Sequence, residues 1–213
     1  MAKAVVHLLR HGEVYNPEKV LYGRLPGFRL SDLGQAQAEM AAKYLAERDI
    51  GYLVSSPLER ARQTAAPLAA ALELPVALDE RLIEADNALQ GRRVAGGSNL
   101  RGLFGDPRNW PLFVNPLRPS WGEPYQQVAL RVLAAARSAR ERADGREAVC
   151  VTHQLPVVAA RRYAEGLRLA HDPRSRQCSL ASVTTLTFMD ELIVRVDYAE
   201  PAAALPAGVG TGA

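Results

Sequence analysis

Two histidines, two arginines and a glutamate stand at or shortly after the ends of predicted strands. His11 follows a short apolar strand, with Arg10 before it, and His153 directly follows another. Arg60 lies in the first turn of a predicted helix after a second strand, and Glu84 follows a third. In open α/β sheets, ligands bind outside the carboxyl ends of the strands. We therefore expect these five side chains on one rim, where imidazole, guanidinium and carboxylate groups could bind an anion and move protons.

Short apolar runs predict the strands that would position these groups. Residues 4–9 and 148–152 are continuous runs rich in apolar side chains, the pattern of strands buried on both faces of a parallel sheet. Two later segments alternate apolar and polar residues around Asp190 and Glu191, which predicts an antiparallel hairpin. The predicted strands are residues 4–9, 52–55, 76–78, 148–152, 182–188 and 192–198.

Stretches between the strands predict four helices. Ser31 is a good N-cap, Pro57 suits a first helical turn, and Gly166 ends the last helix. The predicted helices are residues 31–48, 57–72, 124–142 and 155–165. Because strands and helices alternate before a final hairpin, the sequence predicts an α/β fold. We expect a three-layer α/β/α sandwich, with a mostly parallel central sheet and an antiparallel edge.

A single domain over residues 1–200 accounts for these elements. Residues 10–30 form a predicted long, ordered loop after a buried strand, a place where function is usually carried. Residues 85–123 contain many Gly, Pro and Asn residues and are interpreted as an insertion or lid. Residues 201–213 consist largely of Ala, Pro and Gly without charge, which predicts a disordered tail.

The composition of the chain indicates where the protein is located and which classes of partner it binds. The 213 residues are 48% hydrophobic and 23% charged, as in soluble globular proteins. No apolar run approaches the ~18 residues that span a bilayer, and no signal peptide is recognised, so we expect a cytoplasmic protein without a membrane partner. The net charge of +3 comes from scattered arginines rather than a basic stripe, which argues against nucleic acid. Cys150 and Cys178 show neither metal-ligand nor disulfide spacing.

Several ordered motifs resemble those of the histidine phosphatase superfamily, which includes the cofactor-dependent phosphoglycerate mutases. Arg10-His11-Gly12-Glu13 is similar to the family signature, and Val151-Thr152-His153 to its third motif. The run Ser-Ser-Pro-Leu-Glu-Arg-Ala-Arg-Gln-Thr-Ala at residues 55–65 resembles the second motif. Leu82-Ile83-Glu84 resembles the stretch that carries the proton donor, and Gly122-Glu123 a pair common in family phosphatases. The matches run from residue 5 to about residue 188 in family order.

This resemblance implies a phosphoglycerate mutase-like fold and a histidine acid phosphatase-type phosphomonoesterase that needs no metal and no cofactor. His11 would carry a phosphohistidine, while Arg10, Arg60 and His153 would hold the phosphoryl group. Glu84 would protonate the leaving oxygen and later activate water. The expected partner is a small phosphorylated substrate, and a homodimer is left open. Other implied substrate-binding residues are Asn16, Gly23 and Gln154.

The chemistry explains these residue types. A phosphate monoester is a dianion that repels anionic nucleophiles, whereas a neutral imidazole avoids this repulsion and divides the reaction into two steps. Flanking guanidiniums lower the pKa of His11, which favours its neutral form. Their paired donors also match the phosphoryl oxygens.

The sequence alone leaves several residues with two possible roles. Asp86 is close to Glu84 and is the alternative proton donor. Glu13 either orients its loop or contacts substrate, and Arg24 either reaches the substrate or is solvated. Two histidines are expected to be structural, namely His7 and His171.

Departures from the family pattern leave the substrate undetermined. Gln154 stands where a glycine is usual, and Asn16 lies one residue nearer to His11 than in most members. Residues 85–91 lack both the tryptophan of many family phosphatases and the Arg-His-Tyr-Gly pattern of the mutases. That absence and the short lid favour a phosphatase. The alternatives are a mutase of a phosphorylated glycerate, primed by a bisphosphorylated compound, and a phospholigand-binding protein without activity.

Overall fold

A computed structural model describes residues 3–93 and 122–205 of the chain. Six strands form one sheet in the order β3-β2-β4-β1-β5-β6. β1, β4, β2 and β3 are mutually parallel, and β5 and β6 complete the sheet as an antiparallel edge. The strands are β1 (Lys3–Arg10), β2 (Ile50–Ser55), β3 (Val76–Leu78), β4 (Glu147–Thr152), β5 (Val183–Met189) and β6 (Leu192–Ala199).

Helices cover both faces of the sheet. Among the described residues they are α1 (Asp32–Ala46), α2 (Glu59–Leu72), α3 (Tyr125–Arg142) and α4 (Gln154–Ala164), with short 3₁₀ turns at Glu80–Leu82 and Pro173–Ser175. The predicted three-layer α/β/α sandwich is confirmed, and the predicted elements agree to within about two residues. The predicted N-cap is also present, because the Ser31 hydroxyl accepts a hydrogen bond from Gly34 N at 3.0 Å.

Successive side chains of the central strands point to opposite faces and fill two separate cores. In β1, Leu8 packs beneath α3 and α4, whereas Leu9 packs beneath α1 and α2. In β4, Cys150 and Val151 divide in the same way. The continuous apolar runs of the sequence are therefore explained by burial on both faces.

The structure describes only parts of the two segments that the sequence predicts to be irregular, residues 85–123 and 201–213. The prediction of a tail from residue 201 is wrong at its start, because Ala202 is buried and Leu205 packs against the core beneath α1 and α2. Two backbone hydrogen bonds, Ala203 N to Glu200 O and Leu205 N to Ala202 O, fold this stretch into turns. The lid predicted at 85–123 falls mainly on residues 94–121, which lie outside the described ranges.

The two described ends of that insertion lie side by side. Asn87 and Gly122 form an antiparallel bridge, and Glu123 N donates to Asp86 O at 3.1 Å. In the described ranges, no helix is both long and apolar enough to cross a membrane.

Candidate active site

The carboxyl ends of β1 and β4 bring two buried histidines together. These strands are parallel neighbours, with Arg10 opposite Thr152, so His11 and His153 emerge side by side. His11 N donates to Thr152 O at 3.0 Å. The two rings meet edge-on with centroids 5.1 Å apart, and His11 and His153 are 1% and 0% exposed.

The ring of His11 is fixed in one tautomer. Its Nδ1 lies 2.7 Å from Gly12 O, and since a carbonyl oxygen only accepts, Nδ1 carries the proton. Nε2 therefore keeps its lone pair. Burial, and then the charges of Arg60 and Arg10, lower the pKa of His11 well below its usual value of 6.5. The imidazole is neutral at pH 7 and can act as a nucleophile.

Close backbone packing fixes the loop that carries His11. A Cβ at Gly12 would lie 2.4 Å from Gly34 O, so only glycine allows this loop to approach the first turn of α1. Glu13 N donates to Gln37 Oε1 at 2.8 Å, and the Glu13 carboxylate accepts a hydrogen bond from the Ser31 hydroxyl at 2.6 Å. Glu13 had two possible roles, to orient its loop or to contact substrate, and these contacts favour the first.

Two buried guanidiniums flank the histidines. Arg10 donates through Nη1 to Cys178 O at 2.6 Å, and Arg60 donates through Nη2 to Gly23 O at 2.6 Å. The Arg60 Cζ lies 4.7 Å from the centre of the Tyr22 ring, and this cation–π contact stabilises the guanidinium charge. Nε of both arginines is buried without a hydrogen-bond partner among the described residues. Buried donors of this kind are costly, and an anion would satisfy them.

His153 has one engaged and one unpartnered nitrogen. Its Nε2 lies 2.8 Å from the Ser56 hydroxyl, while Nδ1 is buried and has no partner in the part of the chain that the structure describes. Burial and then the charge of Arg60 lower the pKa of His153 well below 6.5, so the ring is neutral. If the Ser56 hydroxyl donates to Nε2, the proton resides on Nδ1, which then offers a neutral donor to a phosphoryl oxygen.

The alternative proton donors differ in exposure. Glu84 is 3% exposed, and its Oε1 accepts a hydrogen bond from Ala85 N at 2.8 Å. Burial raises the pKa of Glu84, although the charges of Arg60 and Arg10 oppose the rise. Asp86, in contrast, is exposed. A carboxylic acid must stay protonated near neutral pH to act as a general acid, and the buried site of Glu84 favours that state.

A network of charged side chains braces the backbone at Glu84. Arg24 donates through Nε to Glu84 O at 2.7 Å and through Nη2 to Glu123 Oε2 at 2.9 Å. Arg131 donates hydrogen bonds to both carboxylate oxygens of Glu123 and also to Arg81 O. Although burial acts in the opposite direction, Arg131 and Arg24 lower the pKa of Glu123. The sequence predicted either substrate contact or solvation for Arg24, and its contacts with Glu84 and Glu123 were not expected.

The predicted binding residues Asn16 and Gly23 lie in the loop after β1. The Asn16 amide closes a turn, because Oδ1 accepts from Val20 N at 3.0 Å and Nδ2 donates to Val20 O at 2.8 Å. Gly23 has a φ of +42°, and its carbonyl is the acceptor for Arg60. A Cβ at Gly23 would lie 2.5 Å from Gln90 Oε1. Contact of either residue with substrate stays a prediction.

Sequence reasoning missed three side chains around the site. Ser56 stands in the same motif as Arg60, so its place after a strand end was an available signal. Tyr22 adjoins Gly23, but nothing in its local pattern indicates that its ring lies against Arg60. Arg176 comes from the loop before β5 and donates to Oε1 of the predicted binding residue Gln154 at 3.2 Å.

The described residues contain no group of three or more His, Cys, Asp or Glu side chains that could hold a metal ion. The polar groups that converge on this rim are instead the imidazoles, guanidiniums and carboxyl group described above. Together these groups could bind a tetrahedral dianion, attack it with Nε2 of His11 and supply a proton from Glu84.

Comparisons with known proteins agree with the fold. Residues 6–200 match the family model described as the histidine phosphatase superfamily (branch 1). The chain is 53% identical over 198 residues to the uncharacterized protein Rv0525 of Mycobacterium tuberculosis, covering 93% of this chain and 96% of that protein. It is 31% identical over 195 residues to a probable phosphoglycerate mutase, GpmB, of Shigella boydii, covering 84% and 83%.

A solved structure shares this fold. The native mycobacterial glucosyl-3-phosphoglycerate phosphatase Rv2419c superposes with a TM-score of 0.70 at 26% identity, covering 92% of this chain and 97% of that one.

Proposed function

The chain belongs to the histidine phosphatase superfamily and is a phosphoryl-transfer enzyme, and from this premise we propose that it hydrolyses a phosphate monoester through a phosphohistidine on His11. One observation carries the proposal. His11 is a buried, neutral imidazole whose Nδ1 is tied to Gly12 O, which leaves Nε2 as the nucleophile between Arg10 and Arg60.

In the first step, Nε2 of His11 attacks phosphorus from the side opposite the leaving oxygen. A P–N bond forms, the P–O bond to the alcohol breaks, and Glu84 gives its proton to the departing oxygen. The Nδ1–H bond to Gly12 O stabilises the positive charge that develops on the ring.

In the second step, the Glu84 carboxylate accepts a proton from a water molecule whose oxygen attacks phosphorus. The new P–O bond forms as the P–N bond breaks, and inorganic phosphate leaves. His11 returns to its neutral form and Glu84 is protonated again, so both side chains are back in their starting states.

Charge stabilisation during both steps is assigned to Arg10, Arg60 and His153. Nε of both arginines and Nδ1 of His153 are buried at the same rim and have no hydrogen-bond partner within the described ranges. Preorganised donors of this kind stabilise the transferring phosphoryl group without reorganisation during the reaction.

Hydrolysis is preferred to transfer for two reasons. Residues 85–91 lack the pattern of the mutases, and the similar solved structure is itself a phosphatase. A mutase is the second candidate, favoured by the relative named as a probable phosphoglycerate mutase. It would move phosphate within a phosphorylated glycerate without releasing it, after priming by a bisphosphorylated compound.

The test is a phosphate-release assay on p-nitrophenyl phosphate, followed by a screen of sugar phosphates, phosphoglycerates, nucleotides and phosphopeptides. Wild type, His11→Ala and His7→Asn are compared, because His7 is a buried histidine on the strand that precedes His11 and lies outside the site. We expect release by wild type and His7→Asn only. Isomerisation of phosphoglycerate without release would favour the mutase, and phosphate binding without turnover would favour a binding protein.

A further inference from the structure

The loop between α4 and β5 brings another arginine to the rim of the site. Arg176 is half-buried, and its carbonyl accepts a hydrogen bond from Cys178 N at 3.1 Å. The carbonyl of Cys178 in turn accepts the bond from Arg10 Nη1. The backbone that carries Arg176 is therefore in direct contact with one of the two guanidiniums that flank His11.

The hydrogen-bond partners of Arg176 are neutral. Nε donates to His171 Nε2 at 3.0 Å, and Nη1 donates to Gln154 Oε1 at 3.2 Å. His171 is an acceptor here because its Nδ1 donates to Leu169 O at 2.6 Å, which leaves the lone pair on Nε2. Burial lowers the pKa of His171, which favours this neutral form.

Two other arginines near the site are paired with an acid. Arg24 and Arg131 both pair with Glu123. Arg176 forms no ion pair with any carboxylate in residues 3–93 and 122–205. Burial lowers the pKa of Arg176 while Tyr125 and Glu84 act to raise it, and a guanidinium remains charged at physiological pH in any case. A half-buried guanidinium that no carboxylate contacts is better stabilised once an anion binds to it.

We propose that Arg176 binds a second anionic group of the substrate, a carboxylate or a second phosphate, beside the phosphoryl group at His11. The inference rests on the proposed function and narrows its substrate class to phosphate esters with a second negative charge. Two of the five N–H donors of Arg176 are used by His171 and Gln154, and the others, which have no partner among the described residues, could bind a planar or tetrahedral anion. The fixed Nε bond to His171 orients the guanidinium before the substrate binds.

The experiment compares substrates that differ only in the second charge. 3-Phosphoglycerate and glycerol 3-phosphate differ by a carboxylate in place of a hydroxymethyl group, and fructose 1,6-bisphosphate and fructose 6-phosphate by a second phosphate. For Arg176→Gln, we expect the ratio of kcat/KM within at least one pair to fall ~10- to 100-fold, as expected for the loss of a charged hydrogen bond. The pair that responds identifies the anion.

Two further variants sharpen the comparison. Arg168→Gln removes an exposed charge from the same loop and is expected to keep the wild-type ratios. Arg176→Lys keeps the charge without the planar fork and is expected to recover part of the preference. Equal losses for both members of each pair in Arg176→Gln, or unchanged ratios, would overturn the proposal.

Failure of this inference and failure of the proposed function give different results. If wild type hydrolyses no ester, the proposed function fails, but binding still tests Arg176. Calorimetric titration of 3-phosphoglycerate, glycerol 3-phosphate and both fructose phosphates into His11→Ala, with and without Arg176→Gln, measures the preference without turnover. Binding of each pair that is equally affected by Arg176→Gln would reject the role of Arg176.

Discussion

His7 and His11 lie on β1 and in the loop that follows it, and both are almost wholly buried. Both nitrogens of His7 have partners, since Nδ1 lies 2.9 Å from Thr185 Oγ1 and Nε2 lies 2.7 Å from Glu147 Oε2. The imidazole of His11 makes one hydrogen bond among those of the described residues, from Nδ1 to Gly12 O. The sequence-based expectation that His7 is structural agrees with these contacts.

The difference between the two histidines shows what distinguishes a site from a core. Burial lowers the pKa of each ring, so neither burial nor a shifted pKa separates them. What separates them is unmet hydrogen-bonding capacity, because Arg10 Nε, Arg60 Nε and His153 Nδ1 lie buried near His11 without a partner in the part of the chain that the structure describes. Interior polar groups normally find partners, and a cluster that does not is arranged for a ligand.

The largest effect is expected from His11→Ala. Loss of the nucleophile should lower kcat for p-nitrophenyl phosphate by ~10⁴-fold or more, since no other group can form the covalent intermediate. The variant should stay folded at 25 °C, although truncation of this buried ring should lower the free energy of unfolding by ~2–4 kcal/mol. Steady-state kinetics and urea denaturation measure the two quantities. Activity within tenfold of wild type would contradict the assignment of His11.

Glu84→Gln should lower kcat by ~10²- to 10⁴-fold for esters with poor leaving groups. The pH profile gives the sharper test. Activity should fall on the acid side as the pH drops through the lowered pKa of His11, below 6.5, because the nucleophile becomes protonated. It should fall on the alkaline side as the pH rises through the raised pKa of Glu84, above 4.5, because the acid loses its proton.

The control for this profile is Asp86→Asn, which alters the exposed carboxylate nearby. We expect the alkaline limb of kcat/KM to disappear in Glu84→Gln and to remain in Asp86→Asn. The reverse result would assign the proton donor to Asp86.

Arg60→Lys should lower kcat/KM by ~10²- to 10³-fold, because lysine keeps the charge but lacks the fork that reaches both Gly23 O and the phosphoryl group. Inorganic phosphate, measured as a competitive inhibitor, should bind more weakly as well. Arg62→Lys on the same helix is the matched control, since Arg62 is exposed. A similar effect of both substitutions would mean that Arg60 acts only through the general charge of α2.

His7→Asn should have the smallest effect on activity and a clear effect on stability. The substitution removes the bonds to Thr185 and Glu147, at a cost of ~2–4 kcal/mol in the free energy of unfolding. Urea denaturation measures this loss, and kcat at 25 °C should stay within about twofold of wild type. A drop in kcat comparable to that of His11→Ala would erase the distinction between the two histidines.

Acid denaturation gives the same variant a second readout. Burial lowers the pKa of His7, so the folded protein resists its protonation. Stability is retained above the ordinary pKa of 6.5 and decreases as the pH falls toward the lowered value in the folded state. The decrease should therefore be shallower in His7→Asn than in wild type.

The sequence predicted most of the scaffold because the relevant signals are local. The apolar runs of β1 and β4, the N-cap Ser31 and the glycines that end helices each act within a few residues. Long-range packing was not predictable in this way. Ala202 and Leu205 carry no charge and resemble a disordered tail in sequence, yet they are held by the core beneath α1 and α2.

The same division applies to the site. His11, Arg60, Glu84 and His153 were expected on one rim because each follows a strand, and the structure brings them together. Tyr22 and Arg176 were missed since their positions depend on how two separate loops fold back over the strand ends.

The most direct test of the account is to trap the intermediate. Enzyme mixed with a ³²P-labelled phosphate monoester is quenched within milliseconds, digested and analysed for the labelled peptide. We predict an acid-labile, base-stable phosphate on the peptide that contains His11, present in wild type and His7→Asn and missing in His11→Ala. Hydrolysis at the wild-type rate without such a label, or a label that persists in His11→Ala, would contradict the central role of His11.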